Sequence, residues 1–92
     1  MRRVVIAQSV REEEKRTWEY FLMDLPRHGE GETPCSHAYS LLCLLSDSDG
    51  ETESVFLYDL TSELDTAREI FRIVSENAVS PFHVKEVLED LL

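Results

Sequence analysis

The sequence is short of the residues that staple, bend or anchor a small protein. Its 92 residues include two cysteines, three glycines, three prolines and one tryptophan. Cys35 and Cys43 are too few for the disulfide framework of a small secreted domain. The longest apolar run, Leu41-Leu42-Cys43-Leu44-Leu45, is strand-sized and far below the roughly 20 residues of a membrane-spanning helix. The start, Met1-Arg2-Arg3-Val4-Val5-Ile6-Ala7-Gln8, has the basic flank of a signal peptide. Its apolar stretch falls short of the about 7–15 residues such a peptide needs, so a cytoplasmic location is expected. No internal repeat and no low-complexity tract occurs.

Basic charge is also scarce. Nine Lys and Arg stand against 19 Asp and Glu, for a net charge of −10. No Lys or Arg lies between Arg27 and Arg68, so the acidity belongs to the later two thirds. A surface of this sign repels phosphate backbones and anionic lipids, which argues against nucleic-acid and membrane partners. Its ordinary use is solubility. An apolar content of 42% is too high for intrinsic disorder. The chain is read as a single domain over residues 1–92, with a small core for its length.

Residues 3–10 and 17–25 read as two strands of a hairpin around the charged cluster Arg11-Glu12-Glu13-Glu14-Lys15-Arg16. A tip at Glu12 to Lys15 sets Ile6 opposite Phe21 and Val5 opposite Leu22. Residues 26–36 carry two glycines and two prolines and read as a loop, the most mobile segment expected. Asp49-Gly50 between apolar runs predicts a second hairpin with a two-residue turn. That register pairs Leu44 with Val55 and Leu42 with Leu57 on one face, and Cys43 with Phe56 and Leu41 with Tyr58 on the other. Both faces are then apolar, and both need cover.

The remainder is helical. Ser62-Glu63-Leu64-Asp65 resembles a capping box with Ser62 as N-cap. Ala67, Ile70, Phe71, Val74 and Ala78 follow at helical spacing. Asn77 suits a left-handed terminator. Ser80-Pro81 opens a second helix, with Ser80 as N-cap, Pro81 at the first helical position and a Val79–Val84 staple. Its apolar stripe is Val84, Val87, Leu88 and Leu91.

Three stretches carry a resemblance. They are Tyr39 near a strand start, the strand end Tyr58-Asp59-Leu60-Thr61-Ser62, and the closing segment Ser80-Pro81-Phe82-His83-Val84-Lys85-Glu86-Val87-Leu88-Glu89-Asp90-Leu91-Leu92. In these the sequence resembles a family of short bacterial proteins, mostly from Firmicutes, that forms a domain of unknown function. It departs at Tyr39-Ser40, where a Tyr-Gly pair is expected. The resemblance implies no activity and no catalytic residue. It does single out Tyr39, Ser80, Pro81, His83, Glu86 and Asp90 as motif or interaction residues.

Few side chains are spaced for chemistry. His28, Cys35 and His37 share a loop region, but Cys35-Ser36-His37 is too tight for a zinc pair and no second close pair exists. Cys35 with His37 also lacks a third group to orient a base. Asp47, Asp49, Glu51 and Glu53 surround Gly50, yet the glycine falls at the wrong place for a calcium loop. His83, Glu86 and Asp90 recur at i, i+3 and i+7 and share one helix face. Glu89 and Asp90 oppose the helix dipole, for which Arg68 or Arg72 are candidate partners. Trp18, Tyr20, Tyr39 and Tyr58 suit either core or interface.

The expected architecture is α+β: a four-stranded antiparallel sheet of two hairpins followed by two C-terminal helices, in the order ββββαα. If the helices share one face, the other needs a second chain. The expected function is therefore a non-enzymatic protein-binding or self-associating module, a homodimer among its forms, with no cofactor and no metal. Two alternatives stand beside it: a metal-binding protein or small enzyme using His83, Glu86 and Asp90, and an acidic regulator that mimics nucleic acid.

Overall fold

The computed structural model describes residues 4–26 and 37–91. Four strands, β1 (Val4–Glu13), β2 (Arg16–Pro26), β3 (His37–Asp47) and β4 (Thr52–Thr61), precede two helices, α1 (Leu64–Glu76) and α2 (Pro81–Leu91). The strands form one antiparallel meander in sequence order. This is the expected α+β fold with ββββαα order.

Both helices lie on the same side of the sheet. Tyr20, Leu41 and Cys43 project from β2 and β3 into one cluster with Ile70, Val74, Val84 and Leu88 of the helices. Leu22 and Tyr39 meet Ala67 of α1 in a second. Because side chains alternate along a strand, these contacts place even positions of β2 and odd positions of β3 under the helices. The Tyr20 hydroxyl donates to the carbonyl of Val79, 2.7 Å away in the turn between α1 and α2. One bond thus fastens both helices to the middle of the sheet.

The two hairpin registers differ from the sequence-based expectation. In the first, Glu13 faces Arg16, so the tip is Glu14-Lys15, and Gln8 rather than Ile6 faces Phe21. Glu14 takes the left-handed conformation, φ 54°, a turn with no glycine or asparagine to mark it. A bulge between Val5 and Ala7 turns Ile6 toward the helix side, where it packs on the second cluster. In the second hairpin, Leu41 faces Leu57, Leu42 faces Phe56 and Cys43 faces Val55, one residue from the expected pairing. The turn has three residues. Gly50 donates to the Asp47 carbonyl, the Asp47 N–H donates to Glu51, and Gly50 sits at φ 89°. The Asp47 carboxylate accepts from the N–H groups of Asp49 and Glu51, which holds a type I turn with glycine in its left-handed position.

Both ends of α1 also correct the expectation. Its N-cap is Glu63, with no side-chain cap bond, not Ser62. Asn77 at the C-cap has φ −95°, while Ala78 holds the left-handed position at φ 49°. Val79 donates to Val74 and Ala78 to Ser75, the paired bonds of a Schellman motif. Arg72 is not available to the acids of α2: it pairs with Glu69 and Glu76 along its own helix. Its hydrogen bonds hold the Glu69 carboxyl below the usual range.

Candidate functional site

The side of the sheet away from the helices is built from the other half of the alternation. Register assigns to it Val5, Gln8, Val10 and Glu12 of β1, and Thr17, Glu19, Phe21, Met23 and Leu25 of β2. From β3 and β4 come Ala38, Ser40, Leu42, Leu44 and Ser46 with Thr52, Ser54, Phe56 and Tyr58. Glu12 and Glu19 are its only charged side chains among the described residues, although charged residues make up 30% of the chain. Val5, Val10 and Phe56 are each about half exposed, at 51%, 53% and 49%. Leu42, Leu44 and Phe21 are partly exposed between them. Met23, Leu25, Leu42 and Phe56 line an open cavity of about 170 Å³ on this side.

One end of the face is closed by the chain itself. The Tyr58 hydroxyl on β4 donates to the Pro26 carbonyl on β2, so its ring spans β3. Beneath this end Ser40 is fully buried. Its hydroxyl donates to Ala38 and accepts from the N–H of Asp59. Asp59 holds φ 58° at the irregularity where β4 loses register with β3. Ser40 thus serves the bulge with a side-chain oxygen, at the position where the resemblance leads one to expect glycine.

The singled-out residues do not converge. Tyr39 is buried under α1 and stacks on His37, ring centroids 5.5 Å apart and 7° from parallel. Ser80 and His83 bond to each other at 2.8 Å, hydroxyl to Nδ1, across the first turn of α2, where Pro81 is buried. Glu86 and Asp90 are exposed on the same helix. No hydrogen bond or ion pair joins either to His83 among the described residues, nor do these hold a group of three or more metal-competent side chains. His28 and Cys35 lie outside the described residues. A pair that sequence spacing did not suggest is His37 with Asp24, Nδ1 lying 2.8 and 3.0 Å from the two carboxylate oxygens. The strand register brings them together at the end of the helix-side face.

Of the four anchoring aromatics, Tyr20 and Tyr39 are core, Trp18 packs on the core edge, and Tyr58 spans the sheet end. Burial pushes the Cys43 thiol up to about 12, and burial likewise raises Tyr20, with the neighbouring Cys43 adding to it. Neither is poised as a nucleophile or acid near neutral pH. No helix among the described residues is long and apolar enough to cross a membrane.

The arrangement therefore offers one extended feature suited to recognition, the sparsely charged sheet face, and no assembled catalytic constellation among the described residues. A family model described as a family of unknown function (DUF6514) matches residues 1–92. Neither the curated proteins nor the solved structures give a match.

Proposed function

The chain belongs to this family of unknown function, and from that premise we propose that it is a non-enzymatic, cytoplasmic protein-binding module that works through the open face of its sheet. The observation that carries the reading is the contrast between that face and the rest of the chain. Phe21, Leu42, Leu44 and Phe56 lie together on a surface whose charges are confined to Glu12 and Glu19, in a protein of net charge −10. A contiguous apolar patch with a polar rim marks interaction surfaces more than solvated ones. The hydrogen bond between Ser80 and His83 gives the imidazole a structural task at the helix start, which favours this reading over a metal or catalytic role for His83, Glu86 and Asp90.

Site-specific photo-crosslinking tests it. A photoreactive phenylalanine at Phe56, in cells of the native host, is expected to give protein adducts. The same group at Phe82, 73% exposed on α2, is the control. Equal yields at the two positions, or none at Phe56, overturn the proposal.

A further inference from the structure

We infer that the partner on the open face is a second copy of this chain, stacked sheet to sheet across a two-fold axis. This rests on the reading of that face as a binding surface and names its occupant.

The first argument is shape. A compact chain of 92 residues has a radius of gyration of about 12 Å, whereas this one has 13.8 Å and extents of 47 × 28 × 18 Å. It is a slab of two layers, one of sheet and one of helix; beyond the end closed by Tyr58, where Met23, Leu25, Ala38 and Ser40 are buried, the sheet layer is open around Val5, Val10 and Phe56. An antiparallel sheet commonly leaves a polar face in water, but Val5, Val10, Phe21, Leu42, Leu44 and Phe56 make this face apolar at its centre, and the aligned stacking of two twisted sheets about 10 Å apart is a regular way to bury such a surface.

The second argument is area. Strands of 10–11 residues at about 3.3 Å per residue, four abreast at about 4.8 Å, give a face of roughly 600 Å². Because the Tyr58 end is already closed, two such faces bury at most about 1,200 Å², at the lower edge of the range for specific complexes. An interface of that size suits a weak, reversible dimer rather than a permanent one.

The third argument is charge. A basic partner would seek the carboxylates, all but two of which (Glu12 and Glu19) among the described residues lie off this face. With only Glu12 and Glu19 on it, this sparsely charged face is the surface on which two chains of −10 approach with least repulsion. The sheet edges are poor alternatives. β1 is bulged between Val5 and Ala7, and β4 is irregular around Asp59, both devices that hinder edge pairing.

Sedimentation of the purified full chain from 1 to 300 µM, at 50 and 500 mM NaCl, tests the inference. Dimerisation with a micromolar dissociation constant is expected, strengthened severalfold at high salt because screening relieves the repulsion between two acidic chains. Phe56→Glu and Phe56→Lys are both expected to weaken it at least tenfold, while Phe82→Glu leaves it unchanged. Circular dichroism confirms that each variant is folded. A strict monomer at 300 µM, a dimer weakened by salt, or a dimer indifferent to both Phe56 variants overturns the inference. Should the pure protein be monomeric while Phe56 still yields adducts with other proteins in cells, the second copy is ruled out and the binding-face reading stands. Absence of both sinks both.

Discussion

Ala78 is the residue at which the fold can be tested most sharply. It ends α1 in the left-handed conformation, φ 49°, inside the paired bonds from Val79 to Val74 and from Ala78 to Ser75. An L-residue with a Cβ spends about 1–2 kcal/mol there. Glycine removes that cost but gains about 0.4–1 kcal/mol of unfolded-state entropy. It also forfeits about 0.4 kcal/mol for a half-buried methyl group. The balance for Ala78→Gly is a stabilisation of about 0.5 kcal/mol, or about 2–4 °C in melting temperature for a domain of this size. Asn77→Gly is the companion. Asn77 is not left-handed, and its Nδ2 donates to the Ile73 carbonyl at 2.7 Å. Its replacement should cost about 0.5–1 kcal/mol. Thermal and urea unfolding of the three proteins measure both effects. Stabilisation by Asn77→Gly together with destabilisation by Ala78→Gly would place the left-handed residue one position earlier and refute the assigned helix end.

Tyr20→Phe removes the donor to the Val79 carbonyl and should cost about 1–2 kcal/mol in chemical denaturation; an unchanged midpoint would show that the bond is not made. Gly50→Ala has open space for its methyl group but must adopt φ 89°, so a loss of about 1 kcal/mol is expected. Cys43 is buried and free and should react with alkylating reagents only as fast as the chain opens; rapid labelling of the folded protein would contradict its burial. Tyr20 and Cys43 are acids that the fold keeps protonated, and the unfolded chain releases those protons first. Stability is therefore intact below the ordinary cysteine value of 9.0 and falls as pH rises toward about 12, by about 1.4 kcal/mol per pH unit for each group that titrates. Denaturation midpoints that stay level from pH 8 to 11 would count against it.

The order and kind of every element could be read from the sequence, because a strand-length apolar run at 41–45 next to the Asp49-Gly50 turn signal and the i, i+3, i+4 spacing from Ala67 to Val74 are strong signals. The registers could not. Asp49-Gly50 suits a two-residue turn, but Asp47 offers its carboxylate to two backbone N–H groups and secures the longer one. Aspartate at the first position of a type I turn was the available cue. The Glu14-Lys15 turn has no such cue at all, since neither residue prefers positive φ. The candidate site was half legible. Two apolar faces could be inferred from the second hairpin alone, in either register. Which of them the helices would take could not, since Leu41 and Leu42 are equally suited to burial, and Tyr20 reaching Val79 is a contact across 59 positions. The aspartate–histidine contact of Asp24 and His37 was hidden for the same reason: only strand pairing makes them neighbours.

The meander has a consequence for biosynthesis. Its strands appear in the order in which they pair, so each can dock on its predecessor as soon as it is made. The helical lid is encoded downstream of all four. A nascent chain halted before residue 64 would carry a sheet with grease on both sides and nothing to shield it, the kind of species that chaperones hold. The acidic turn from Asp47 to Glu53 is translated before the lid and gives that unfinished chain a measure of repulsion against its own kind.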